Sequence, residues 1–140
     1  MKYSAHIGIL FCLFLVITAF FPWIHIESLN VYVSGIGADI KTVFGKPALM
    51  NFYLLPVLIL FFLIPRLWAK KLNPFVGAIN FAWALRNLLL LSTCRNGECP
   101  QQQTALYVYF LSAVVILVMT VLPYKADNES LSQKSKVKTN

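Results

Sequence analysis

Four apolar runs, at 7–21, 49–64, 75–91 and 105–122, alternate with polar stretches of unequal length. Each approaches the roughly 20 residues a helix needs to cross about 30 Å of hydrocarbon. The second run is the shortest, and Ala48 and Pro65 extend it to a workable span. The pattern predicts four membrane-spanning helices over about 5–23, 48–66, 74–93 and 104–123. The expected fold is therefore an all-α membrane protein, a four-transmembrane-helix bundle filling 1–124. Lys2 before the first run is also how a secretory signal begins. That run ends in Ala19-Phe-Phe-Pro-Trp23, with no small-residue cleavage pattern, so it is read as a retained helix.

The connections differ in kind. Between the first two runs, Trp-Ile-His-Ile-Glu-Ser-Leu-Asn-Val-Tyr-Val-Ser (23–34) is rich in β-branched and aromatic residues and partly alternates. This predicts a short β-ribbon of one or two strands, punctuated by Gly35 and Gly37 and ended by Gly45-Lys46-Pro47. Trp23, Tyr32 and Phe44 are expected as interfacial anchors. The ribbon is read as a lid on the helix ends, in preference to a docking edge for another protein. The third connection contains Cys-Arg-Asn-Gly-Glu-Cys (94–99). Asn-Gly favours a type I′ turn, which needs positive φ at both central residues. Counting outward pairs Arg95 with Glu98 and then Cys94 with Cys99, at the roughly 4.5 Å Cα separation of a non-hydrogen-bonded pair. A disulfide-closed hairpin follows, with Pro100 ending it.

Composition agrees with the pattern. Of 140 residues 59% are hydrophobic and 12% charged, and mean hydropathy is +0.70. The net charge of +7 comes from lysine and arginine gathered in particular places. Lys2, the Arg66/Lys70/Lys71 group and the tail lysines (125, 134, 136, 138) lie on one side of the expected threading. Lys41 and Lys46 in the first connection are offset by Glu27 and Asp39, and Arg95 by Glu98. The positive-inside bias then puts both termini in the cytoplasm and the two cysteines outside, where disulfides persist. The polar stretch 125–140 is expected to be a disordered cytoplasmic tail. No soluble basic face exists for nucleic acid, so lipid is the expected partner, with a membrane-protein partner or a second copy beyond it.

Polar residues within the runs are the candidate site. Asn80, Trp83 and Asn87 share a helical face, with Arg86 at its edge, and Asn51 and Tyr53 enter the second helix at similar depth. Intramembrane arginine usually faces a bundle interior, a water pocket or a counter-ion. Glu27 and Asp39, dipping from the first connection, are the candidate counter-ions. The group reads as a polar seam binding helices together, with an outward-open anion or quinone-headgroup pocket as the sharper alternative. Pro56 is expected to kink the second helix and free a carbonyl. His6 and His25 read as interfacial, and Cys12 as a small buried apolar residue. Zinc needs about four ligands, and only two cysteines and His25 lie outside, so no metal or other cofactor is expected.

Several stretches together resemble a known group. These are Pro22-Trp23, Gly45-Lys46-Pro47, Phe-Leu-Ile-Pro-Arg-Leu-Trp-Ala-Lys-Lys (62–71) and Cys-x4-Cys-Pro (94–100). Over 20–123 the chain resembles uncharacterised small four-helix inner-membrane proteins of Bacteroidota. That resemblance implies a bacterial inner-membrane protein and brings no activity or catalytic residue. The plan is also similar to claudin-type tetraspans, which carry their cysteine pair in the first outer loop, whereas here it lies in the second. The leading expectation is a non-enzymatic scaffold or accessory subunit of a membrane assembly. The alternatives are a thiol/quinone oxidoreductase using Cys94 and Cys99, and a small oligomeric transporter or channel with an anion site at Arg86.

Overall fold

The computed structural model describes residues 3–27, 30–38, 45–94 and 99–137, with residue 38 and residues 124–137 through their backbone alone. Among these are four helices: α1 (Tyr3–Thr18), α2 (Leu49–Leu63), α3 (Leu67–Ser92) and α4 (Thr104–Val137). Gly8 of α1 faces Phe62 near the end of α2, while along α3 Gly77 faces Thr120 and the later Asn87 meets the earlier Tyr109 of α4. Consecutive helices therefore run antiparallel. α3 and the Thr104–Pro123 part of α4 are long and apolar enough to cross a membrane, whereas α1 and α2 are apolar but shorter.

Four short strands cover one end of the bundle: β1 (Pro22–Ile26), β2 (Val31–Ser34), β3 (Gly37–Ala38) and β4 (Gln101–Gln102), in the order β3-β2-β1-β4. The expected one- or two-strand ribbon is thus a four-stranded antiparallel sheet. After Pro100, Gln101 and Gln102 pair with His25 and Ile24 of β1, a ladder separate from the expected 94–99 hairpin. Ile24, Ile26, Val31 and Val33 face the helices and are buried, while His25 and Tyr32, directly opposed on β1 and β2, stack on the outer face.

Several expected boundaries shift. Trp23 is not an interfacial anchor: it is fully buried, donates Nε1–H to the Thr18 carbonyl at 2.9 Å and packs on Tyr109 with ring centroids 4.4 Å apart. Gly35 is what admits it, since a Cβ there would lie 2.6 Å from the indole and 3.0 Å from the Ala19 backbone. α3 starts at Leu67, seven residues before the expected 74, and carries Lys70 and Lys71 in its opening turns and Pro74 inside. α4 continues through Pro123 to Val137, over residues expected to be disordered, and nothing after Pro123 is a glycine or proline. Cys94 and Cys99 are disulfide-bonded with Cα atoms 4.2 Å apart. The expected turn at 95–98, the anchor Phe44 and the candidate counter-ion Asp39 lie outside the described residues.

The core is apolar around Leu15, Leu55, Leu58, Leu106 and Ile116, but α1 and α3 contribute mainly small and polar residues to it. α1 buries Ser4, Gly8, Cys12, Leu15 and Thr18, and α3 buries Ala69, Asn73, Gly77, Asn80, Ala84, Asn87 and Leu91. Large apolar side chains point outward instead: Leu10 is 63% exposed, Phe75 67% and Leu111 62%. Small residues at spacings of three and four let helix backbones approach closely.

Candidate functional site

Just beneath the sheet, one polar layer joins α2, α3 and α4. Asn51 Nδ2 donates to Asn80 Oδ1 at 2.8 Å, and the Tyr109 hydroxyl donates to Asn51 Oδ1 at 2.8 Å. Asn87 Nδ2 donates to the Tyr109 hydroxyl at 3.3 Å and to the Pro47 carbonyl at 3.0 Å. Trp83 Nε1 donates to that same carbonyl at 2.9 Å. Both lone pairs of the Pro47 oxygen are thereby used, immediately before α2 begins. Asn51, Asn80, Asn87 and Tyr109 are all at least 98% buried.

The helical repeat explains the gathering. Asn80 and Asn87 are separated by seven residues, two turns, and Ala84 between them leaves room for neighbouring helices. Antiparallel packing sets the start of α2 against the second half of α3. Pro47 therefore meets Trp83 and Asn87, while Asn51 meets Asn80 one turn lower. Tyr109 inserts its hydroxyl from α4, and Trp23 covers its ring from above. Two buried polar atoms on the α3 stripe, Asn73 Oδ1 and Asn80 Nδ2, have no hydrogen-bond partner.

Of the residues singled out from the sequence, Asn51, Asn80, Trp83 and Asn87 come together. Tyr53 does not join them; it is 67% exposed on the outside of α2. Arg86 is exposed too, on the outside of α3, with its guanidinium 4.7 Å from the Trp83 ring centroid. Glu27 is engaged elsewhere, accepting from the Gln101 amide. Sequence reasoning missed Tyr109 and the Pro47 carbonyl. Tyr109 had a signal: a phenol inside an apolar run usually requires a polar partner. A backbone acceptor has none.

No enzyme-like constellation appears among the described residues. No group of three or more His, Cys, Asp or Glu side chains is placed to hold a metal ion. Cys12, the free thiol, is buried in α1 among Leu15 and other core residues. A crevice lined by Leu15, Val16, Ala19, Ala48, Asn51, Phe52 and Leu55 is too tight for a water molecule. The chain matches no protein family, no curated protein and no solved structure.

Proposed function

We propose that this chain is a small four-span integral protein of a bacterial inner membrane, acting as a non-enzymatic scaffold or accessory subunit of a membrane assembly. The observation that carries the reading is the apolar outer surface of the bundle. In water, so many outward Leu, Ile and Phe side chains would leave an apolar surface larger than a soluble monomer usually carries. In lipid the outward side chains meet hydrocarbon, and close packing of small and polar residues holds the helices together.

α1 and α2 have 16 and 15 residues, about 24 and 22 Å at 1.5 Å per residue, which is short of about 30 Å. Two features offset this. Irregular backbone at membrane depth is tolerated where protein surrounds it, and at the outer end of α2 the Pro47 carbonyl is satisfied by Trp83 and Asn87. Beyond α1 the chain continues through the exposed, apolar Phe20 and Phe21 before the sheet. Local bilayer thinning takes up the remainder at modest cost. Arg66, Lys70 and Lys71 sit at the end away from the sheet, and Lys125, Lys134 and Lys136 lie in the part of α4 that continues past Pro123. That favours a cytoplasmic location for both termini, with the sheet and the disulfide outside.

The scaffold reading rests on where the polar groups point. The amide layer bonds mainly to its own members and the Pro47 carbonyl, and the crevice that Asn51 lines is too tight for a water molecule. Arg86 lies outside the bundle, which counts against an interior anion path. Cys12 is buried within α1, which leaves Cys94–Cys99 without a second thiol pair for a quinone relay. Mild-detergent purification from the native membrane followed by mass spectrometry tests the proposal. A partner protein in fixed stoichiometry is expected. Bound quinone, together with thiol oxidation that disappears in Cys94→Ser, would replace it with the redox reading.

A further inference from the structure

Arg86 is the sole charged residue between Leu72 and Cys94, and it stands on the outer flank of α3 beside the exposed Leu85, Leu89 and Leu90. Its guanidinium lies over Trp83, whose N–H points the other way, to the Pro47 carbonyl. Pro47 lies two residues before α2, so the Arg86–Trp83 pair stands near the sheet-side start of α2. Lys46, exposed, is next to Pro47 in the chain. No acid occurs in 45–53 or 72–94, and no described carboxylate pairs with Arg86.

On these observations, and resting on the membrane reading above, we infer that Arg86 and Trp83 form a binding site for the phosphate of an anionic phospholipid in the leaflet on the sheet side. The arginine fork can hold two phosphate oxygens at once, and Trp83, anchored through its N–H, keeps that fork at headgroup depth. Toward the bilayer centre the exposed Ala82, Ile79 and Phe75 continue the Arg86 face of α3 as the surface along which acyl chains lie, so the phosphate belongs to a lipid. An anionic headgroup is selected because no carboxylate among the described residues pairs with Arg86. A zwitterionic headgroup brings its own ammonium to compete for the phosphate.

Tryptophan quenching by lipids with dibrominated acyl chains tests this in reconstituted vesicles. A Trp68→Phe background removes the exposed indole at the opposite end and leaves Trp83 and the buried Trp23. Brominated phosphatidylglycerol is expected to compete for the site about fivefold better than brominated phosphatidylcholine, the factor that roughly 1 kcal/mol per basic residue gives. Arg86→Gln should bring the ratio to about one. Arg86→Lys should give an intermediate ratio, since it keeps the charge and loses the two-pronged geometry. Excess inorganic phosphate should change nothing, and a fall in the ratio with it would overturn the lipid as the source. Equal quenching by both lipids in the parent and in Arg86→Gln overturns the site while leaving the membrane reading intact. Absence of quenching by either lipid overturns the membrane reading itself.

Discussion

Asn51, Asn80, Asn87 and Tyr109 are bonded mainly to one another, so removing one strands its neighbours. Tyr109→Phe deletes one bond given to Asn51 and one received from Asn87. It should cost about 1–3 kcal/mol, the usual penalty for leaving buried polar groups unpaired. Asn51→Leu should cost a similar amount, and in the double variant the two losses should be less than additive because they share a bond. Tyr53→Phe should change nothing. Unfolding in mild detergent measures all four. The layer was partly legible in the sequence because Asn80, Trp83 and Asn87 repeat at helical spacing. Arg86 was harder to separate from it, since Arg86 and Asn87 are adjacent in sequence yet a residue step turns about 100° around a helix. That step sends one side chain into the bundle and the other to its outer surface.

At the scale of elements, small residues set how closely helices approach. A Cβ at Gly77 would lie 2.8 Å from Thr120 Oγ1, an atom on a short side chain that cannot swing away. At Gly8 it would meet the tip of the Phe62 ring at 2.5 Å, which rotation can relieve. Gly77→Ala should therefore destabilise by about 1–3 kcal/mol, the range for overpacking. Gly8→Ala should cost less, and Thr120→Ala should partly rescue Gly77→Ala; thermal melts in detergent rank the three. The Cys94–Cys99 bridge closes a six-residue loop, for which the chain-entropy relation gives about 2 kcal/mol. Reduction should lower stability by about that much, read by the same melts with and without reductant. The four helices were visible as apolar runs, and the β-character of 23–34 as branched and aromatic alternation. The fourth strand was not, because Gln101 and Gln102 carry no strand signal, and their pairing with β1 is a long-range contact. The start of α3 was hidden because Arg66, Lys70, Lys71 and Pro74 read as a loop, although arginine and lysine are good helix formers.

For the whole molecule, water and lipid predict opposite responses to charge on the exposed surface. Leu10 and Leu111 are the kind of outward positions at which a water-soluble protein accepts lysine at almost no cost. In hydrocarbon each lysine costs about 2.5–3.5 kcal/mol near mid-span. Leu10→Lys and Leu111→Lys should therefore sharply lower the amount of protein recovered in carbonate-washed membranes, and unchanged recovery would count against lipid contact there. Mean hydropathy and run length made the apolar helices legible, two of them long enough to cross a membrane. The specific role was not, because no group of catalytic or metal-binding side chains stands out among the described residues.

The central claim is that the helices cross the bilayer an even number of times, with the sheet outside and the basic ends inside. Labelling with a membrane-impermeant maleimide in right-side-out vesicles, after mild reduction, tests it most directly. Cys94 and Cys99 should label without permeabilisation, whereas a cysteine introduced as Ser135→Cys should label only after it. Labelling of both sites in intact vesicles, or of the native pair only after permeabilisation, would contradict the account.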